Sequence, residues 1–403
     1  MIGREAWERA RRILCVRLDN LGDVLMTTPA LRALKESAED RRITLLASPA
    51  GAAVARLVPE IDDILVYEAP WMKATAPRAD GDADLAMVET LRRGRFDAAA
   101  IFTVYSQSPL PSALLCHLAG IPLRLAHCRE NPYGLLTDWV PEPEPERLTR
   151  HEVRRQLDLV AGVGATSRNE RLSLRVPDEA HERVAGLLQR LELGRRWVAI
   201  HPGASAPSRR YPPEHFAAAA GALVREHGVR VVFTGSTSER DLIDAIRRAM
   251  RAPSESLAGA LDLGELAALI EWAPALIVNN TGPAHIAAAL GTPVVVLYAL
   301  TNLQHTPWRV AGAVLSHDVP CKPCYKSVCP LGHHDCLRLV PPGEVVAAAL
   351  GLIDGKDSTE PFDIPIDTWQ TDPHPGRLPG GEGIISLPLP PGEGRGEGLP
   401  IRG

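Results

Sequence analysis

Residues 275–308 read ALIVNNTGPAHIAAALGTPVVVLYALTNLQHTPW, and the residue types run strand, sharp turn, short helix, strand, loop. Residues 275–278 form an apolar run too brief for a helix, as expected of a buried strand. Asn279, Asn280, Thr281 and Gly282 are turn and capping residues. Pro283 suits the first helical position, where its missing N–H costs nothing. The helix over 284–290 stops at Gly291, and the β-branched run 292–298 is the next strand. A polar turn between a buried strand and a helix gathers free backbone N–H groups, the positive end of a dipole and His285. That arrangement suits an anion, especially a diphosphate. Such turns occur throughout α/β folds and most bind nothing, so the rest of the chain decides.

Outward from this stretch the same alternation repeats. Residues 1–12 read as a charged lead-in, and residues 13–18 (ILCVRL) as an apolar strand with one Arg, followed by the turn-rich loop 19–23. Pro29 interrupts the helical pattern of 24–37. Thr28 as N-cap fits a helix that starts at Pro29, with 24–27 a preceding turn or a kinked first turn. Strands are expected at 43–47, 63–67, 96–102 and 123–127, with helices at 50–58, 82–93 and 111–119 between them. A longer helix over 148–162 and a polar linker over 164–177 follow. The alternation then restarts, with strands at 197–201 and 229–234 and helices at 179–191, 212–227, 237–250 and 262–272. A last helix covers 342–353. This is the pattern of an α/β chain with parallel sheets covered on both faces. It divides the chain into 1–170, 171–354 and a Pro/Gly/Glu-rich tail, 355–403, whose composition predicts disorder.

The 403 residues suffice for two cores, and 45% hydrophobic with 23% charged residues is ordinary for a globular protein. A net charge of −5 gives no global reason to expect nucleic acid. The clusters Arg92, Arg93, Arg95 and Arg147, Arg150, Arg154, Arg155 read as solvated helix faces. Residues 13–18 are too short for a signal-peptide core, and 275–308 contain Asn, Gly and Pro, unlike a membrane span. A cytoplasmic location is therefore expected. Neither G-x-G-x-x-G after a strand nor G-x-x-x-x-G-K-[ST] occurs, which argues against a hydride-transfer dinucleotide enzyme and a P-loop NTPase.

In a two-domain α/β protein, ligands bind where the C-terminal ends of the strands face each other. Four segments qualify: 19–23, 201–210 (HPGASAPSRR), 235–239 (GSTSE) and 280–285. Together they suit a nucleotide diphosphate and a hydroxyl that must lose a proton. Asp23 is either a helix cap or a general base. Arg209 and Arg210 either clamp a diphosphate or sit in solvent before a helix. His285 donates to phosphate or is structural. Glu239 accepts from ribose hydroxyls or stabilises a first helical turn. Cys321, Cys324, Cys329 and Cys336, with His333 and His334 nearby, permit a structural zinc site, a redox-sensitive pair or plain reduced thiols. No acidic ligands cluster there, so no catalytic metal is expected.

Several of these stretches resemble one family. ILCVRLDNLGDVLMTTPALRALKES is similar to the N-terminal motif of glycosyltransferase family 9, the ADP-heptose:lipopolysaccharide heptosyltransferases. HPGASAPSRRYPPEHFAAAA, VVFTGSTSERDL, LDLGELAALI and NNTGPAHIAAALGTPVVVLYALTN resemble its later motifs in the same order, and CKPCYKSVCPLGHHDC a segment found in part of the family. The resemblance covers roughly residues 13–353. It implies a GT-B architecture of two Rossmann-like domains, with the acceptor held by the N-terminal half and the nucleotide sugar by the C-terminal half. It implies inverting, metal-free transfer of a heptose from ADP-heptose to an inner-core sugar. Asp23 would be the base and Arg209 would contact the phosphates or the acceptor. Ser205, Arg210, Glu239, Asn280, Thr281, Gly282 and His285 would hold the donor. A lipid-linked saccharide acceptor implies peripheral contact with the inner membrane, and no nucleic-acid partner is expected. Where the family commonly has Asp, this chain has Asn280, which can hydrogen-bond a sugar hydroxyl but brings no negative charge. The alternatives are a nucleotide-sugar epimerase of the same architecture and an inactive metal-binding module built on the cysteines.

Overall fold

The computed structural model describes residues 4–73 and 75–355. The tail expected to be disordered lies outside the described residues from 356 onward. Strands β1 (Arg12–Arg17), β2 (Arg42–Ala47), β3 (Asp63–Val66), β4 (Ala98–Ile101), β5 (Leu123–Cys128) and β6 (Asp138–Pro141) form one six-stranded sheet in the order β3-β2-β1-β4-β5-β6. Strands β7 (Trp197–His201), β8 (Arg230–Phe233), β9 (Glu255–Ser256), β10 (Leu276–Asn279), β11 (Val294–Leu297) and β12 (Gly312–Leu315) form a second, in the order β12-β11-β10-β7-β8-β9. Read from its other edge, the second order is the first again. The pairs are parallel, with Ile13 beside Ile43 on one side and Ala98 on the other, and Ile277 between Ile200 and Val295.

The cause is visible in the strands. β4 (AAAI) and β11 (VVVL) are buried at every position, so helices must cover both faces of each sheet. One apolar cluster runs through both halves, joining Ile13, Leu25 and Leu31 to Val278, Ile286 and Val296. The linker expected over 164–177 packs along the helix Leu21–Glu36. Arg32 Nη1 donates to the carbonyls of Asn169 and Arg171 at 2.8 Å each, and the Ser173 N–H donates to Thr28 Oγ1 at 2.9 Å.

Three local expectations are corrected. The helix expected to start at Pro29 instead runs unbroken from Leu21 to Glu36, with Pro29 inside it. Proline removes the N–H that would bond the Leu25 carbonyl, but Thr28 Oγ1 donates to that carbonyl at 2.7 Å. The helix expected from 148 begins at Glu152, where His151 Nδ1 caps it by accepting from the Val153 N–H at 3.2 Å. The charged lead-in contains a short helix, Arg4–Arg9, anchored by Trp7, whose indole N–H donates to Asp138 Oδ2 at 3.1 Å. The edge strands β6 and β12 were not expected, since each is brief and rich in residues with weak strand preference.

Thr28→Val keeps the shape of the side chain but leaves the Leu25 carbonyl and the Ser173 N–H unpaired in a buried place. Unfolding free energy, read by urea denaturation, is expected to fall by about 2 kcal/mol. A variant as stable as the parent would show that Thr28 does not carry the helix past Pro29.

Candidate active site

In each sheet the direction of winding reverses once, between β1 and β4 and between β7 and β10. The loops leaving adjacent strands diverge there and open a crevice. A cavity of about 250 Å³ is lined by Asp23, Ser205, Arg209, Glu239, Asn280, Thr281, Gly282 and His285, with His201 and His305. Residues read separately from four sequence segments are therefore brought together around one space.

One wall is built from two helix starts. The first turns of Leu21–Glu36 and Gly282–Leu290 both line the cavity and touch each other. A Cβ on Gly22 would sit 2.6 Å from His285 Cδ2, and one on Gly282 would sit 2.8 Å from Leu21 Cδ2. Only glycine allows this approach, which directs two sets of free N–H groups and two positive dipole ends at one region. Asn279, fully buried at the end of β10, accepts from the Tyr211 N–H at 3.1 Å and donates to the Pro202 carbonyl at 2.8 Å. Ser208 donates through its N–H to the Ser327 carbonyl at 3.1 Å and through Oγ to the Lys326 carbonyl at 2.8 Å. The turn Pro207–Arg209 is thus fixed on both sides. Arg209 is half-buried and makes no ion pair among the described residues. Asn280 is 6% exposed, and its Oδ1 has no partner. Burial, together with His305, His151 and Arg209, holds His285 down to about 3, so its ring is neutral and offers a donor without charge.

Acidic groups gather beside the first of these helix starts. Arg17, at the end of β1, is 0% exposed. Its Nε lies 3.2 Å from Asp19 Oδ2, its Nη2 3.2 Å from Asp23 Oδ1, and its Nη1 3.0 Å from Glu152 Oε1. Asp23 is also a helix-capping group, because its Oδ2 accepts from the Asn20 N–H at 3.1 Å. The capping reading of Asp23 is therefore realised, while its Oδ1 stays with Arg17 at the cavity. Burial pushes Asp19 and Asp23 above the usual carboxylate range against the pull of Arg17. Burial also favours the neutral form of Glu152, but Arg17 and Arg155 outweigh it and hold this carboxyl at about 2. Asp19 faces away, into a second cavity of about 300 Å³ lined by Trp71, Phe102, Ser106, Gln107 and Ser112. Gln107 Nε2 donates to Asp19 Oδ1 at 2.7 Å.

Glu239 caps its own turn, accepting at Oε2 from the Ser236 N–H at 2.7 Å. Its Oε1 lies over Gly203, where a Cβ would come within 1.7 Å. Arg210 does not line the cavity of Arg209 but an adjoining one that shares Gly203, Ala204 and Glu239 with it. Arg210 is exposed, donates through Nε to the Ala204 carbonyl at 2.9 Å, and lines that neighbouring cavity of about 320 Å³ with Tyr211 and Ser238. Sequence reasoning missed Arg17, Glu152, Asn279, His201 and His305. Arg17 did leave a signal, since an Arg inside an apolar strand run must be paired when buried. Glu152 left none beyond a place in a helical pattern.

Among the cysteines, Cys321 Sγ lies 3.9 Å from His333 Nε2. Burial pushes the Cys321 and Cys336 thiols up, and the neighbouring thiols add to this. Among the described residues no group of three or more His, Cys, Asp or Glu is arranged to hold a metal ion.

Comparison with known proteins gives a consistent result. The family model of glycosyltransferase family 9 (heptosyltransferase) matches residues 85–334. Lipopolysaccharide heptosyltransferase 2 of Escherichia coli K12 is 27% identical over 312 residues, which cover 73% of this chain and 85% of that protein. Lipooligosaccharide heptosyltransferase 2 of Campylobacter jejuni (serotype O:6) is 23% identical over 332 residues, 81% of this chain and 94% of that one. The solved structure of a family 9 glycosyl transferase from Veillonella parvula shares the fold, with a TM-score of 0.72 at 23% identity over 86% of this chain and 98% of the other.

The neutral His285 ring has a consequence for stability. As pH falls below the ordinary histidine value of 6.5, the unfolded chain takes up a proton at this ring, and the folded chain does not until about pH 3. Stability should therefore be present above that window and be lost through it, by about 1.4 kcal/mol per pH unit for this one group. His285→Asn should flatten the acid slope by that amount in denaturation series taken between pH 6.5 and 4. An unchanged slope would mean that His285 is protonated in the folded protein.

Proposed function

The chain belongs to glycosyltransferase family 9, the heptosyltransferase family, and from that premise we propose that it moves a heptose from ADP-heptose to the inner core of lipopolysaccharide, with inversion at the anomeric carbon. One observation carries the reading. The unpaired Arg209, the first turn of Gly282–Leu290 and the unpartnered Asn280 oxygen share a single cavity with Asp23.

The diphosphate lies against the N–H groups of Thr281 and Gly282, with Arg209 and the neutral His285 donating to its oxygens. Glu239 accepts from the ribose hydroxyls, Ser205 lies at the open edge of the same cavity, and Asn280 Oδ1 accepts from a sugar hydroxyl. The acceptor approaches from the Asp19 side, past Trp71 and Gln107. Asp23 takes the proton of the attacking hydroxyl. The new bond forms between that oxygen and the anomeric carbon, and the bond from that carbon to the diphosphate oxygen breaks. The electron pair leaves with ADP, and the charge that develops there is met by Arg209 and the helix N-terminus. These groups supply the positive charge the departure needs, so the reading calls on no metal ion. In this scheme residues 1–170 serve the acceptor and 171–354 the donor. A lipid-linked acceptor brings the enzyme to the inner face of the membrane. Among the described residues no helix is long and apolar enough to cross it, and the contact proposed is peripheral.

A donor screen by mass spectrometry, offering ADP-heptose and other nucleotide-activated heptoses and hexoses with a core-lipid acceptor, should give transfer from ADP-heptose. Asp23→Asn should lower kcat by at least about a hundredfold while ADP binding by calorimetry stays near the parent value. Arg209→Ala should also lower kcat by about a hundredfold, through lost stabilisation of the leaving group. Parent-like turnover by Asp23→Asn, or equal loss of ADP binding, would end its assignment as the base.

A further inference from the structure

We propose that Glu152 is a positioning residue for the transfer: from the first turn of the helix Glu152–Ala161 it occupies the Arg17 guanidinium and so leaves Asp23 free to act as a base. This rests on the reading of Asp23 as the base and adds to it a residue that touches neither cavity.

The geometry is that of one cation shared by three carboxylates. Arg17 reaches Asp19, Asp23 and Glu152 at 3.2, 3.2 and 3.0 Å, and the side chains of Arg17 and Glu152 are both 0% exposed. A carboxylate bound to an arginine of its own is a poor base, because the cation stabilises its ionised form. A like charge nearby acts in the opposite sense. In this cluster Glu152 supplies the charge that persists, since Arg17 and Arg155 keep it ionised while burial pushes Asp19 and Asp23 towards protonation. Gln156 Nε2 donates to Glu152 Oε1 at 2.7 Å and to the Thr103 carbonyl at 2.9 Å, which fixes the Glu152 carboxylate from behind.

The other groups around the cluster come from several elements. Asp19 and the Asn20 N–H belong to the loop after β1, Gln107 follows β4, and Arg155 stands on the helix of Glu152 itself. His305, from the turn Leu303–His305, feels both Glu152 and Asp19, but burial keeps it down to about 4 and hence uncharged near neutrality. Glu152 therefore acts on Asp23 through Arg17. When Asp23 takes the acceptor's proton, Arg17 keeps a full partner in Glu152 and is not left unpaired.

The test is the pH dependence of kcat/KM. In Glu152→Gln, which keeps the size and the Gln156 hydrogen bond, Arg17 turns its full pull on Asp23. The acid-side inflection should move down by about one pH unit, and the plateau should fall several-fold because the base is weaker. Glu152→Asp, which restores the charge, should return the inflection towards the parent position. A lower plateau with an unmoved inflection would mean a merely structural role and overturn the proposal. If Glu152→Gln does not fold, Gln156→Leu releases the Glu152 carboxylate from its hold behind Arg17 and should shift the inflection in the same direction; no shift there also overturns it. Asp23→Asn run in parallel separates the two claims. An active Asp23→Asn defeats the base reading, whereas an inactive one with an unmoved Glu152→Gln profile defeats only the role of Glu152.

Discussion

Arg17 carries its charge into a place from which water is excluded, and that constraint organises the crevice. A buried guanidinium without partners would cost several kcal/mol, so β1 cannot close against its neighbours unless carboxylates are delivered to its end. Three arrive from two directions: Asp19 and Asp23 from the loop and helix that follow β1, and Glu152 from a helix more than a hundred residues later. Meeting this demand fixes the loop 19–23, sets where the helix Leu21–Glu36 begins, and docks the start of Glu152–Ala161 beneath the same strand. The pairing that lets the first sheet fold also builds the acidic wall of the cavity.

The rest of the cavity has the opposite polarity, obtained with little formal charge. Arg209 is its cation, His285 is neutral, and the remaining field comes from backbone N–H groups at two helix starts. Because Gly22 and Gly282 lack side chains, those starts approach to contact and their fields add. Glycosyl transfer moves a proton off the acceptor and negative charge onto the leaving diphosphate. In the proposed mechanism Asp23 and the positive groups of the same cavity meet both displacements from places already fixed, so little reorganisation would accompany the reaction.

What the sequence disclosed follows from which interactions are local. The strand–turn–helix pattern of 275–291, the repeated alternation and the turn residues after each first strand all report local physics. They led to Asp23, Glu239 and the 280–285 turn without knowledge of the fold. Arg17 and Glu152 escaped because their meaning lies in a contact across more than a hundred residues. Asn279 looked like turn chemistry, yet its amide ties Tyr211 to Pro202 from the end of a buried strand. Adjacency in sequence did not place Arg210 in the same cavity as Arg209; it lines the adjoining one, beside Glu239. The turn Pro207–Arg209 ends between the two arginines, so the next side chain leaves on the other side of the backbone. Pro29 misled for a similar reason: the breaker was plain, but its repair by Thr28 and Ser173 needed tertiary structure.

The same physics explains why an amide is at home at position 280. The side chain is almost wholly buried, on the wall proposed to hold a diphosphate, and no cation among the described residues pairs with it. A carboxylate there would have either to take up a proton or to stand unpaired beside the phosphates, drawing on the pull of Arg209 that they need. Asn280 avoids both outcomes. In the proposed donor site it leaves the charge of Arg209 and the helix N-terminus to the diphosphate and presents a neutral oxygen to a hydroxyl. On that proposal position 280 contributes to the choice of sugar through hydrogen-bond direction, while the anion is held by its neighbours.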